Sequence, residues 1–251
     1  MTDQGWLVRR DHGDGVIELQ LNREPVNALS AAFLMDFAGE IGRLGQDDAV
    51  RAIVISSALK VYSAGLDLKE ARTFDIPQQH AIVEGLNVGF LAEFSCPQAG
   101  GGRGGRRGHC RRAVFFVLAA DFRVGNDRAQ QGLAEVRVGA TFPAGPMEIA
   151  RATLDANLLR RMMLTGQPID AGTAHRRGVL DELVEGDPLP RALEEARALA
   201  QLPPRTYAAV KRQIRGDTIA LIERQMAGGA NAPEGGWFNE ETRDAMRRMI
   251  G

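Results

Sequence analysis

The sequence predicts an α/β fold, and three observations carry that prediction. Val16 to Leu21 alternates apolar and polar residues, the pattern of a half-buried strand. Ser30 then precedes Phe33, Leu34, Phe37, Ile41 and Leu44 at helical spacing, with the serine placed as an N-cap. Arg51 to Ser56 follows as a short apolar run with the character of a buried strand. Strand, helix and strand thus succeed one another within one stretch of chain.

The remaining elements follow in order. Trp6-Leu7-Val8 is expected to pair with the first strand across the turn Asp11 to Gly15. Gln78 to Phe94 reads as a helix with Ile82, Leu86, Phe90 and Leu91 on one side. Asp121 to Val124 and Val179 to Val184 read as short strands. Helical patterns occupy Pro143–Ala152, Asn157–Leu164, Asp170–Arg177, Pro190–Leu202, Arg205–Arg224 and Glu240–Ile250. Ala227 to Gly236 is rich in Gly, Ala and Pro, which marks a loop or lid. The chain runs from strand-rich to helix-rich with no linker that forces two independent domains. We divide it into a core, residues 1–195, and a C-terminal helical region, residues 196–251, that serves assembly or acts as a lid.

Composition excludes several classes. With 31 Lys+Arg against 32 Asp+Glu, no global field recruits nucleic acid or an anionic membrane. No uncharged apolar run reaches the roughly 20 residues of a membrane span. Two cysteines, Cys96 and Cys110, are not a disulfide framework and suit a reducing cytoplasm. With His109 they fall short of a four-ligand metal site. The N-terminus shows no basic region followed by an apolar stretch, so no secretory signal is read.

One segment breaks the pattern. Ala99 to Arg112 contains six Gly and five Arg in 14 residues. Glycine costs about 1 kcal/mol per helical position and is poor in strands, so an ordinary element is not expected here. A basic loop meeting phosphates or RNA and a plain solvated loop are two readings. RNA binding is disfavoured, because the run lacks interleaved aromatics. The intact apolar flanks favour a third reading, a local departure from the native sequence. Out-of-frame reading of GC-rich Val and Ala codons gives such Gly/Arg runs.

Several motifs converge on one family. Arg23-Glu24-Pro25-Val26-Asn27-Ala28-Leu29 and Ser63-Ala64-Gly65-Leu66-Asp67-Leu68-Lys69-Glu70 resemble the N-terminal signatures of the enoyl-CoA hydratase/isomerase (crotonase) superfamily. Leu118 to Arg123, Glu135 to Gly139 and Leu164 to Ala171 resemble its later blocks. The resemblance implies the crotonase (ClpP-like) fold, in which ββα units repeat in a spiral core followed by a helical region. It implies an acyl-CoA thioester as substrate, with coenzyme A part of that substrate and no separate cofactor. It also implies a homotrimer or a dimer of trimers.

By that resemblance, two backbone N–H groups bind the charge that develops on the thioester oxygen. One belongs to Leu66, with Gly65 permitting the tight turn. The other falls near Arg111, Arg112 and Ala113, where the family has a glycine pair; we assign Arg112. Asn27, Ala28, Leu29, Ser63, Ala64, Gly65, Asp67 and Leu68 are assigned to the substrate-binding region, Asp67 mainly as a brace for its loop. Ser63 has no His–Asp partners to make it a nucleophile. Glu135 lies fourteen residues past Asp121, at the family's proton-donor position. Its apolar neighbours Leu133, Ala134 and Val136 are expected to raise its pKa toward the range useful for a base. The family's first glutamate position falls at Phe115, and no carboxylate lies at 113–118. One glutamate suits an enoyl-CoA isomerase better than a hydratase, which uses two. The alternative is a catalytically impaired CoA-binding protein, since the second glycine segment is altered. Lys69 and Lys211 are read either as contacts for CoA phosphates or as solvated helix charges. Trp237 and Phe238 are read as closing over an acyl chain or packing between subunits.

Overall fold

A computed structural model describes residues 5–103 and 114–250. Strand β1 (Leu7–Asp11) pairs antiparallel with β2 (Val16–Leu21). The turn between them needs left-handed backbone at Gly13, Asp14 and Gly15. A side chain on Gly15 would fall 2.6 Å from the Ala49 carbonyl, so glycine is required there. After the two-residue strand β3 (Ala28–Leu29), helix α1 (Ala31–Gln46) starts at Ser30, whose Oγ accepts from the Phe33 N–H at 3.3 Å. Strand β4 (Ala52–Ser57) then runs parallel to β2. β2 is buried along its whole length because β1 and β4 flank it and helices cover its faces.

The pattern repeats. β5 (Gly65–Leu66) pairs with β3, and a single turn, α2 (Leu68–Ala71), follows. Helix α3 (Ile76–Ser95) begins with a reciprocal cap between Asp75 and Gln78. It presents Gly85 and Gly89 to Leu34, so α1 and α3 approach closely. β6 (Ala99–Arg103), helix α4 (Phe115–Ala119), β7 (Phe122–Asn126) and β8 (Gln130–Gln131) come next. Helices α5 (Ala144–Thr153) and α6 (Ala156–Thr165), strand β9 (Ile169–Asp170), helix α7 (Ala171–Arg176) and strand β10 (Glu182–Val184) complete the core. The main sheet has the order β1-β2-β4-β6-β7-β10; β3 pairs with β5, and β8 with β9. The units β2-β3-α1, β4-β5-α3 and β7-β8-α5 are therefore three turns of one ββα spiral.

Phe116, fully buried on α4, anchors one side of the core. Its ring meets Phe37 and Phe90 at 5.0 Å and Tyr62 at 6.1 Å, all edge-on. Helix α8 (Leu189–Ala200) covers the opposite face of the sheet, laying Ala192, Leu193 and Ala196 over Val16, Ala52, Val54 and Val124. Helix α9 (Pro204–Gln225) runs on into a single π turn, Met226–Ala230, which is kinked at Gly229, and α10 (Glu240–Ile250) closes the described chain.

The Gly/Arg run is corrected in part. Ala99–Arg103 is a strand in the middle of the sheet, parallel to β4 and β7. Ladder bonds on both edges supply what glycine propensity lacks. Gly100 is also tied through its backbone to the Asp121 carboxylate, which lies alongside it. That carboxylate accepts from the Gly100 N–H at 2.7 Å, and the Asp121 N–H donates to the Gly100 carbonyl. Residues 104–113, including Arg112, His109 and Cys110, lie outside the described residues.

Asp121 also ties the C-terminal helix to the sheet. It accepts from Tyr207 at 2.9 Å and Lys211 at 2.8 Å, and pairs with Arg215 at 2.9 Å. Arg215 further donates to the Phe94, Ala119 and Ala120 carbonyls. Both readings of Lys211 are thus replaced: it is buried against Asp121, and burial pulls its pKa down while the Asp121 carboxylate opposes that shift. Glu93 is buried beside this cluster with neither carboxyl oxygen hydrogen-bonded, and burial raises its pKa well above the usual range. The strand at Val179–Val184 is shorter than its sequence pattern, because Val179 and Leu180 enter the core before β10 begins. Asp121→Ala leaves Lys211 and Arg215 without their counter-charge. It is expected to cost about 3–5 kcal/mol, measured by urea unfolding; a loss under about 1 kcal/mol would show that the cluster does not hold α9.

Candidate functional site

The site is built where β3 and β5 meet. The chain enters β3 through a loop braced by Asn27, which is fully buried with φ of 49°. Its Nδ2 donates to Ser57 Oγ at 2.9 Å and to the Tyr62 carbonyl at 3.0 Å, and its Oδ1 accepts from the Arg23 N–H. The Ser63 hydroxyl donates to the Asn27 carbonyl at 2.6 Å and accepts from the Gly65 N–H. Asn27 and Ser63 therefore lie behind the site, with side chains occupied in holding two loops together. Asp67 caps α2 through the Glu70 N–H and lies 3.5 Å from Arg23, which itself donates to the Ala28 carbonyl.

Gly65 takes φ of 77°. This turn changes which way successive amides point. The Ala64 N–H meets the Val26 carbonyl, and the Asp67 N–H meets the Leu29 carbonyl. Leu66 precedes Asp67 in an extended stretch, so its N–H points the opposite way, away from β3.

Leu29, Gly65, Leu66 and Leu68 line a narrow cavity of about 50 Å³, and Glu135 lies in its wall. Leu86, Phe115, Val138, Pro146, Trp237 and Met249 supply much of the rest. Among the described lining residues, Glu135 is the one ionisable group. It opens a 3₁₀ turn, Glu135–Val138, that ends at left-handed Gly139. Helix α10 clamps this turn: Thr242 Oγ1 donates to the Gly139 carbonyl at 2.6 Å. A side chain on Gly139 would meet the Thr242 backbone at 3.1 Å. The Glu135 residue is partly exposed along its length, but its Oε2 is buried without a hydrogen-bond partner. Burial pushes its pKa up to about 7, against a smaller opposing effect of its backbone hydrogen bond. Of the expected neighbours, Leu133 is buried, whereas Val136 points outward at 47% exposure.

Phe115 opens α4 and faces the same cavity, held by the rings of Phe90 at 5.4 Å and Phe142 at 6.3 Å. An open cleft of about 800 Å³ shares Leu66, Leu68 and Met249 with the cavity and extends past Ala28, Ala64, Asp67 and exposed Lys69. The structure thus brings together Ala28, Leu29, Ala64, Gly65, Leu66, Asp67, Leu68 and Glu135 around two connected spaces. Sequence reasoning missed Leu86, Val138, Pro146 and Met249 as wall residues. Leu86 already stood on the apolar side of its helix, but no local signal distinguishes a core position from a cavity wall. Among the described residues no group of His, Cys, Asp or Glu is arranged to hold a metal, and no helix is long and apolar enough to cross a membrane.

A ββα spiral that sets a turned glycine strand against a buried glutamate defines a class, the crotonase fold. The comparisons place the chain within it. A family model described as enoyl-CoA hydratase/isomerase matches residues 11–232. The chain is 28% identical over 226 residues to a probable mitochondrial enoyl-CoA hydratase 2 of Arabidopsis thaliana, covering 88% of this chain and 72% of that protein. It is 28% identical over 222 residues to the 2,3-dehydroadipyl-CoA hydratase of Escherichia coli, covering 84% and 83%. Its fold matches an enoyl-CoA hydratase from Bacillus halodurans with a TM-score of 0.85 at 16% identity, covering 97% and 99% of the two chains. It matches the human mitochondrial delta3-delta2-enoyl-CoA isomerase with a TM-score of 0.84 at 18% identity, covering 98% and 96%. The chain belongs to the enoyl-CoA hydratase/isomerase family.

Two predictions follow from this geometry. Asn27→Ala removes a donor that several buried acceptors share and is expected to cost about 2 kcal/mol or more in urea unfolding. Glu135 has a folded pKa near 7 against an ordinary 4.5, so the folded state favours its protonated form. Its stabilising contribution is full below about 4.5 and is lost as pH rises through about 7. Glu135→Gln should therefore gain stability relative to the parent across that window; parallel pH–stability curves would contradict the burial of the carboxyl.

Proposed function

We propose that this chain is an enoyl-CoA isomerase that moves a double bond within an acyl-CoA thioester. The observation that carries the reading is the cavity shared by Leu66 and Glu135, with Phe115 where a hydratase would place its other carboxylate. Activating a water calls for a polar partner opposite the base. Here Phe115 supplies an aromatic ring to the cavity wall.

In this mechanism the Glu135 carboxylate removes a proton from C2 of a 3-enoyl thioester. The C–H pair forms C1=C2 and the carbonyl pair moves onto the thioester oxygen, giving a dienolate. On its collapse the C=O reforms, the C1=C2 pair moves into C2–C3 and the C3=C4 pair takes up the proton at C4. The Leu66 N–H donates to that oxygen. The same carboxyl, now protonated, returns the proton to C4 and yields the 2-enoyl thioester, with no atom gained or lost. A pKa near 7 suits a group that serves first as base and then as acid. A second amide is assigned by family resemblance to Arg112, outside the described residues. The coenzyme A portion is assigned to the open cleft beside Lys69.

Turnover of 3-enoyl-CoA to 2-enoyl-CoA is followed by absorbance, with hydration products assayed in parallel. Glu135→Gln is expected to lower turnover by about 10²–10⁴-fold. In the parent, kcat/KM should rise with pH through about 7 as Glu135 ionises. Turnover untouched by Glu135→Gln, or hydration as the main reaction, would overturn the reading. The altered stretch at Arg111 to Ala113 favours a second reading, a CoA-thioester-binding protein of impaired activity. It predicts binding without turnover, and recovery when a glycine pair replaces Arg112 and Ala113. Assembly as a homotrimer or dimer of trimers is also proposed. The outward Val210 and Ile214 of α9, at 47% and 75% exposure, give it apolar surface; sedimentation at micromolar chain reads the stoichiometry, and a monomer counts against it.

A further inference from the structure

We infer that Trp237 is the end wall of the acyl pocket and limits the enzyme to short acyl chains; this rests on the acyl-CoA reading above. Three spaces lie in series. The open cleft meets the narrow cavity at Leu66, Leu68 and Met249. On its other side, the cavity shares Pro143 and Trp237 with a groove of about 680 Å³. The cleft and the groove have no lining residue in common. A thioester held at Leu66 and Glu135 therefore directs its acyl chain toward Trp237, and the chain stops there. Beyond the indole, Val83, Phe142 and Met147 offer apolar surface that the parent chain does not let the acyl group reach.

The indole is fixed rather than loose. Its Nε1 donates to the Thr141 carbonyl at 3.0 Å. The backbone N–H groups of Trp237 and Phe238 both donate to Gln79 Oε1 at 2.9 Å. Gln79 is buried on α3, and its Nε2 donates to the Phe74 carbonyl. Phe238 packs against the indole at 5.3 Å between centroids. Just before it, Gly236 is left-handed and passes so close to Gln79 that a Cβ would lie 2.6 Å from Oε1. A wall pinned from three directions rejects an extra methylene rather than yielding to it.

The test measures binding, which is independent of turnover. Parent, Trp237→Ala and Trp237→Phe proteins are titrated calorimetrically with butyryl-, octanoyl- and dodecanoyl-CoA, saturated thioesters that the reaction leaves unchanged. In the parent, butyryl-CoA binds and dodecanoyl-CoA binds about tenfold weaker or worse. In Trp237→Ala the long chain gains about tenfold or more relative to butyryl-CoA, and Trp237→Phe falls between. Adding Met147→Trp to Trp237→Ala fills the groove and removes the gain. A chain-length profile in the variants that superimposes on the parent's overturns the proposal, as does tight dodecanoyl-CoA binding by the parent. Where Trp237→Ala fails to fold by thermal melting, Trp237→Phe alone decides between these outcomes. Failure of the parent to bind any of the thioesters overturns the acyl-CoA reading itself.

Discussion

The buried side-chain amide of Asn27 is the interaction on which the site depends. Two loops must meet edge to edge before β3 and β5 can pair, and neither has regular structure of its own to enforce it. The Asn27 Nδ2 has two hydrogens and four acceptors within 3.5 Å, of which Ser57 Oγ and the Tyr62 carbonyl are nearest. One residue thus binds the end of β4 to the approach of β5 while its own backbone turns left-handed. Asparagine tolerates that conformation better than most residues with a side chain. Gly65 then reverses the amide directions only because the strands on either side are already held. Family resemblance placed Asn27 with the substrate. Its chemistry is that of a brace, and an exposed ligand-binding amide would have left those acceptors unpaired in the interior.

A second constraint fixes the other half of the molecule. β6 is poor in strand-forming side chains, yet it sits between β4 and β7. The Asp121 carboxylate lies beside Gly100 and accepts from that glycine's N–H. Lys211, Arg215 and Tyr207 converge on that carboxylate from α9. A buried ion cluster of this kind is weak evidence of stability by itself, because desolvation offsets attraction. Its value is registry: it fixes α9 against β6 and α4, and α4 in turn presents Phe115 to the cavity.

These two constraints explain what was legible in the sequence. Helices α1 and α3 were readable from apolar spacing, with Ser30 read as the cap of α1; the Asp75 cap, which starts α3 two residues earlier than its reading, was not picked out. β6 was unreadable, since its strand character comes from neighbours far along the chain and from an aspartate twenty-one residues away. The two-residue strands β3 and β5 were not read as strands, since two residues carry no periodicity; family resemblance marked only the motifs that contain them. Glu135 was picked out because it falls at the position the family resemblance implies, fourteen residues past Asp121, and its apolar neighbours supported it, although Val136 points to solvent while Phe115, Val138 and Trp237 line the cavity beside it. The cavity lining is assembled from seven separate stretches of chain, which local reasoning cannot join. Lys211 shows the opposite failure: a helical lysine among polar neighbours looks solvated until the fold closes over it.

The electrostatics of the cavity bear directly on what one carboxyl can do there. A carboxyl with one oxygen buried and unpartnered in an apolar enclosure is a poor place to hold water, since a bound water needs two or more polar partners. The same enclosure favours the neutral acid, so a proton taken from carbon is kept on the carboxyl rather than lost to solvent. In the proposed reaction, charge leaving Glu135 on protonation reappears on the substrate oxygen, within the field of an amide that the Gly65 turn directs away from β3. The negative charge is therefore moved within the enclosure and need not be created anew in low dielectric. That transfer is what the proposed shuttling of a proton between two carbons of one bound chain requires, and in the proposed pocket the fixed indole of Trp237 sets how long that chain can be.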